Sequence, residues 1–396
     1  MTGLMSPRSR SAVWLSPDDC RLDHLRALVE RDTAAADHPY AAEVQQGVLV
    51  YDCERLRETI ADPGQRCEVE AAIVYALTDG PGVAVFRRAF ADTSVVDEAS
   101  TVFGQMIATQ HADGVAAGDH FATPGANDRV WNAVEKLAVE APSVFVDYYA
   151  NDILALVSNA WLGPGYQVTS AINVVNPGGE AQVAHRDYHL GFMSDTHGAR
   201  FPAHVHRLSP VLTLQGAVAH SDMPVETGPT MYLPYSHQYE AGYLAAGRPE
   251  FTSYFDEHLV QLPLRKGDAA FFNPAVLHGA GRNQTSTVKR MANLLQVSSA
   301  FGRALEAVDR ERVCAALYST LLERKDSAPE RHLRNVVAAS AEGYAFPTNL
   351  DRDQPVGGRT PETQAELVWR ALSSGWDPAR LQSELSAHGA RHRSAG

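Results

Sequence analysis

Apolar positions between Asp18 and Ala76 recur mostly at helical spacing. In DDCRLDHLRALVERD, Leu22, Leu25 and Leu28 fall three apart with charges between them, so this segment is read as mainly helix. GPGVAVFRRAF, Gly80 to Phe90, reads as a short buried strand opened by Gly and Pro. DTSVVDEASTVFGQMIATQ follows, with Asp92, Thr93 or Ser94 available to cap a helix N-terminus. A Gly-rich polar stretch comes next. Within it GDHFATPGANDRVWNA, Gly118 to Ala133, suits either an active-site lid or an ordinary capped loop. SVFVDYYANDILALVSNAWLG reads as one amphipathic helix stopped at Gly163-Pro164-Gly165.

The texture changes from about Gln167 to Ser299. Short apolar or alternating runs (QVTSAINVV, SPVLTLQGAVAH, TMYLPYSH, DAAFFNP, RMANLLQVS) are separated by Gly, Pro, Asn and Asp. Many short strands with turn punctuation predict an antiparallel barrel or jelly roll, not a βαβ fold. Beyond Phe301 helical spacing returns in RALEAVDRERVCAALYSTLLERK and TPETQAELVWRALSSG. The expected architecture is a mainly β core with flanking helices, an α+β chain. An N-terminal helical extension (1–79) packs on a core (80–302), and a C-terminal helical extension (303–396) completes one structural domain.

Composition narrows the function classes. Hydrophobic residues at 45% and charged residues at 20% give an ordinary globular balance. A formal net charge of −13 argues against a nucleic-acid partner, which favours a basic surplus. Cys20, Cys53, Cys67 and Cys314 form no CxxC pair, which suits reduced structural thiols. No apolar run approaches the roughly 20 residues of a membrane span, and the N-terminal stretch lacks the apolar region of a signal peptide. A soluble, cytoplasmic protein is expected, with a small-molecule substrate and oligomeric state left open.

The chemistry concentrates in NPGGEAQVAHRDYHLGF, Asn176 to Phe192. On a helix, His185 and His189 at i, i+4 would share a face as zinc ligands do. Against this, Arg186 stands where the HExxH base would be, and a Pro-Gly-Gly turn lies just upstream. On a strand, His185 and Asp187 point to one side while Arg186 points away. An imidazole and a carboxylate then need one more imidazole to complete the two-His, one-carboxylate set of non-haem iron oxygenases. HxD alone is short and common, and the chain holds its own control at His111 and Asp113, which reads as helix-end polarity. Downstream, RKGDAAFFNPAVLHGAGRNQTSTVKRMANLLQVS supplies His278 in a Gly-rich bend. It also supplies Lys289 and Arg290 at the head of an apolar strand, where alternation lets only one of the two face inward. A buried arginine calls for a carboxylate partner. That partner is either an acid of the protein or a dicarboxylate cosubstrate.

The order His185-x-Asp187, then ETGPTMYLPYSH, then GD..FF....LHGAGRN and Arg290 resembles the phytanoyl-CoA dioxygenase family over about Gly80 to Phe301. The resemblance implies a double-stranded β-helix, a cupin-like jelly-roll barrel. It implies His185, Asp187 and His278 as ligands of Fe(II), and Arg290 as the anchor of 2-oxoglutarate. O₂ would be the oxidant and ascorbate a companion reductant. It implies oxidation of a substrate C–H bond, by hydroxylation, coupled to release of succinate and CO₂. Asp187 argues against halogenation, since related halogenases carry a small residue there. Tyr235 replaces the usual Gly before Ser236-His237. Gln182 and Gln215 are weaker candidates near the cosubstrate. His189, if the strand persists, and Arg200, within a basic loop from His197 to Arg207, are candidate substrate contacts. The competing classes are a zinc hydrolase using His185 and His189, and a non-catalytic barrel serving as a binding module.

Overall fold

Eleven strands are formed among residues 13–114, 125–355 and 357–394, which the computed structural model describes. They are β1 (Glu43–Gln45), β2 (Val48–Asp52), β3 (Val83–Arg87), β4 (Asn127–Val130), β5 (Gln167–Val175) and β6 (Thr213–Ala219), then β7 (Thr230–Leu233), β8 (Val260–Gln261), β9 (Ala269–Phe272), β10 (Leu277–Ala280) and β11 (Arg290–Ser298). Eight form one sheet in the order β1-β2-β3-β9-β6-β11-β5-β4, and three form a second, β10-β7-β8. The spine is β5 against β11, antiparallel over nine residues from Gln167↔Ser298 to Val175↔Arg290.

Burial on both faces explains why β5 and β6 read as nearly continuous apolar runs. Val168, Ile172 and Val174 of β5, Leu214 and Val218 of β6, and Leu295 and Val297 of β11 pack against the helices. The opposite face carries Val83, Val85, Ala219, Ala270 and Phe272, which meet Tyr232 of β7 and Leu262, Leu264 and Val276 of the second layer. The two layers do not close into a barrel. Isolated bridges pair further segments beside the strands: Met223 with Leu264, and His185 with His278 of β10. The second of these bridges is the candidate site.

The structure differs from the sequence reading in four places. The N-terminal segment is not all helix: β1 and β2 form a hairpin, and β2 runs parallel to β3 in the main sheet. The single helix expected after Ser143 is two, Pro142–Tyr149 and Asp152–Leu162, because the Asn151 side chain accepts from Ile153 N and Leu154 N and starts a new helix. The stretch from His197 to Arg207 lies partly in helices, Asp195–Gly198 and Ala203–Val211. The strand expected through His185, Asp187 and His189 does not form as a regular strand, as described below. Other expectations hold. The helix Ser94–Ala112 starts after Thr93, and Gly163, with φ 72°, ends Asp152–Leu162. The candidate lid falls partly on residues 115–124, outside the described residues. Among the described residues no helix is long and apolar enough to cross a membrane.

Candidate metal centre

After the Pro177-Gly178-Gly179 turn the chain does not form a regular strand. It is tied alongside β10 by single backbone bonds: Gln182 N to Ala280 O at 2.8 Å, the reciprocal pair His185 N to His278 O at 2.9 Å and His278 N to His185 O at 3.1 Å, and Asp187 N to Pro274 O at 3.0 Å. The reciprocal pair brings the two imidazoles together, with ring centroids 4.5 Å apart. Local alternation then puts Asp187 on the same side as His185, and its carboxylate lies 3.8 Å from His278 Nε2. One ligand atom from each of His185, Asp187 and His278 lies within 4.8 Å of the others. This is the one such metal-sized group among the described residues.

The donors are prepared for a cation. His185 Nδ1 lies 2.8 Å from Val183 O, and His278 Nδ1 lies 2.8 Å from Val276 O. A carbonyl only accepts, so each Nδ1 carries the proton and each Nε2 keeps its lone pair. Burial, with His185 adding to it, pushes the His278 pKa down to about 4, against the opposing pull of Asp187. The His278 imidazole is therefore a neutral donor at ordinary pH. Two imidazole nitrogens and one carboxylate oxygen are the donor set of a non-haem iron site, and these residues fit such an ion.

Arg290 lies at the head of β11, 5% exposed, while Lys289 is exposed, so alternation turns the arginine inward. Its Nη1 donates to Thr227 O at 3.3 Å and Gly281 O at 3.4 Å. No carboxylate pairs with it among the described residues. Burial alone lowers its pKa, to about 10. Gly228, with φ 72°, lets this corner form, because a Cβ there would overlap the carbonyls of Gly281 and Arg282. The ETGPT and HGAGRN motifs thus meet around Arg290.

The remaining candidates divide. The Gln215 amide nitrogen donates to the Asp187 carboxylate, so this side chain touches a member of the candidate metal cluster directly. Gln182 Oε1 accepts from Ala280 N at 3.2 Å, a bond along the β10 seam. His189 is half-buried with φ 36° and begins a 3₁₀ turn, His189–Phe192. The parity that would carry it to the same side as Asp187 is therefore broken, and burial lowers its pKa. The same turn removes the helical zinc arrangement of His185 and His189. Arg200 is exposed. Its stretch is less basic than its sequence: His206 is buried with Nε2 near Gly198 O at 3.1 Å, and Arg207 pairs with Glu240 at 3.1 Å. His111 bonds Asp128 at 2.7 Å on the surface and joins no metal cluster.

Three residues escaped the sequence reading. Arg186 is buried on the side away from the ligands and donates to Ser236 O. Tyr243 donates its hydroxyl to Asp187 O at 2.8 Å. Asn283 donates through its amide to Val175 O, Asn176 O and Val288 O, tying the Gly-Gly turn to the strand that carries Arg290. Asn283 lies inside the HGAGRN motif, but nothing in its spacing marks it as a latch.

Among solved structures, the chain is similar to the non-haem α-ketoglutarate-dependent epimerase SnoN from nogalamycin biosynthesis (20% identity, 60% of this chain and 85% of that one, TM-score 0.42). It is also similar to the carbocyclase SnoK of the same biosynthesis (20%, 57% and 82%, 0.42). A third is HygX from Streptomyces hygroscopicus, with nickel and 2-oxoglutarate bound (15%, 60% and 90%, 0.38). No curated protein sequence matches the chain. A sequence model described as phytanoyl-CoA dioxygenase matches residues 51–292, which holds the His185, Asp187 and His278 cluster, Arg290 and the motifs between them, and the chain belongs to the phytanoyl-CoA dioxygenase family.

Proposed function

We propose that this protein is an Fe(II)- and 2-oxoglutarate-dependent oxygenase that hydroxylates a C–H bond of a small molecule. The observation that carries the reading is the convergence of His185, Asp187 and His278 within 4.8 Å, in a chain that also buries Arg290 with no acidic partner among the described residues. Membership of the phytanoyl-CoA dioxygenase family supports it.

His185 Nε2, His278 Nε2 and the Asp187 carboxylate would hold the iron. Bound there, iron with 2-oxoglutarate supplies the O₂-dependent oxidation, coupled to decarboxylation of the keto acid to succinate. The chain's own residues set the conditions. The carbonyls of Val183 and Val276 hold the Nδ1 protons, which fixes both rings and their tautomers. Arg290 would pair with the distal carboxylate of 2-oxoglutarate, a bond strengthened by its dry surroundings. The apolar layer of Phe272, Tyr232 and Val276 limits water on the inner side. We keep Gln182 as a candidate cosubstrate neighbour, with His189 and Arg200 as candidate substrate contacts.

Anaerobic addition of Fe(II) and then 2-oxoglutarate should produce the weak visible charge-transfer band of a chelated keto acid. His185→Ala, Asp187→Ala and His278→Ala should abolish it. Arg290→Ala should need on the order of 100-fold more 2-oxoglutarate, as expected when a buried charged partner is removed. Absence of the band from the wild type at any concentration overturns the reading.

A further inference from the structure

We infer that Gln215 is a positioning residue of the metal centre: its amide holds the Asp187 carboxylate in the orientation that a cation requires before the cation arrives. The inference rests on the metal-site reading above.

Gln215 sits in the middle of β6, between Gln296 of β11 and Phe272 of β9 in register, on the face turned toward the second layer. It is 6% exposed. Its Nε2 contacts Asp187 Oδ2. A carboxylate only accepts, so the contacting group must be the NH₂, and the orientation of the amide follows from chemistry.

The other half of the amide is informative. Gln215 Oε1 is buried and has no hydrogen-bond partner among the described residues. A glutamine kept for structure would satisfy both ends, since a dry, unpaired carbonyl is unfavourable and an apolar side chain of similar shape would avoid it. What this glutamine offers its surroundings is the single bond to Asp187.

Asp187 needs that bond more than either histidine does. Both imidazoles are fixed by carbonyls two residues back on their own chain. The Asp187 backbone is held by Pro274 O and by the Tyr243 hydroxyl, but neither contact restrains the carboxylate. Gln215 reaches it from a regular strand of the main sheet, so the most irregular segment of the site is aligned by a rigid element. An orienting partner of this kind typically carries a 10- to 100-fold share of metal affinity.

The test is anaerobic titration with Co(II), followed by its absorption bands, on wild type, Gln215→Met and Gln296→Met. Methionine keeps the length and bulk of glutamine and removes the donor. Gln296 is the paired residue on the neighbouring strand. We expect Co(II) affinity to fall about 10- to 100-fold in Gln215→Met, with Gln296→Met binding like wild type and all three metal-free proteins melting within a few degrees of one another. If Gln215→Met does not fold, Gln215→Asn replaces it: the amide remains but is too short to reach Asp187, and the same weakening is expected. Wild-type affinity in the Gln215 variant, or equal weakening in Gln296→Met, overturns the inference while leaving the metal site intact. No Co(II) binding by wild type overturns the site reading itself, and this inference with it.

Discussion

Arg186 stands between two of the proposed metal ligands in sequence and serves the opposite side of the chain. Its guanidinium is buried, donates to Ser236 O and lies 5.5 Å from the centroid of the Tyr243 ring, with no carboxylate paired to it among the described residues. Burial pushes its pKa down to about 10. Such a group tolerates little crowding, and Gly242 is the residue that leaves it room, since a Cβ there would overlap the guanidinium. Gly242→Ala should therefore destabilise the protein by about 3 kcal/mol, the upper range for overpacking a filled interior, measurable as a lowered urea midpoint with an unchanged m-value. A midpoint within error of wild type would mean the guanidinium is not lodged there. This contrast shows what the sequence makes legible at single residues. The grouping of His185, Asp187 and His278 and the burial of Arg290 were readable, because the residue types and order expected of a metal and anion site are the ones the fold brings together or turns inward. Arg186, Tyr243 and the Gln215 bond were not, because they act through backbone carbonyls and through a neighbour's side chain, for which spacing along the chain carries no signature.

Elements were legible where their pattern was long. β5 and β11, nine residues each, could be placed from apolar runs with polar residues interleaved. The short elements were lost. β1 and β2 span three and five residues between helical segments, too short for a period to show. Their signal is in the turn: Gln46 and Gly47 take φ 50° and 80°, the positive pair of a two-residue hairpin turn, followed by the strand residues Val48-Leu49-Val50-Tyr51. A side chain at Gly47 meets no close atom, the nearest being Thr33 Oγ1 at 3.6 Å, so its cost would be conformational. Gly47→Ala should lower stability by about 1 kcal/mol. Gly178, which also has positive φ and nothing within 4 Å of a built Cβ, makes a matched comparison on the turn before the metal site. A loss in Gly178→Ala with none in Gly47→Ala would show that the hairpin does not hold its turn in solution. The other misread element, the strand expected through His189, fails for a tertiary reason. The segment has only the seam with β10 to pair with, and beyond Asp187 that seam has no partner left to offer.

At the scale of the molecule, the helices after residue 303 belong to the same interior as the sheet. Leu317, Leu321, Val336, Leu367 and Leu381 share one apolar cluster with Val168 and Ile172 of β5. Within that interior lies a polar network. His220, just after β6, has Nδ1 2.9 Å from Ser100 Oγ and Nε2 2.9 Å from the Tyr148 hydroxyl, which accepts from Asn293 Nδ2 at 3.2 Å. It thus links two strands of the main sheet to the helices Ser94–Ala112 and Pro142–Tyr149. Burial drives its pKa down to about 3, with Asp97 opposing weakly. His237, with Nε2 donating to Thr78 O, is driven by burial to about 4. For a histidine whose folded pKa is depressed, the unfolded chain binds the proton first. Stability is then complete above the unfolded value near 6.5 and falls as pH drops toward the folded value. Between those limits each such group contributes a slope of about 1.4 kcal/mol per pH unit. Unfolding free energies measured by urea between pH 6 and pH 4.5 should therefore fall steeply in wild type. In His220→Gln, which keeps a donor and an acceptor but cannot be protonated, the slope should flatten by about one proton, roughly 1.4 kcal/mol per unit. The substitution should also lower stability at pH 7, where its imperfect fit to Ser100 and Tyr148 is the only effect, so the two effects separate by pH. A parallel loss at every pH would mean that His220 is already free to protonate in the folded protein, and that the network does not keep it neutral.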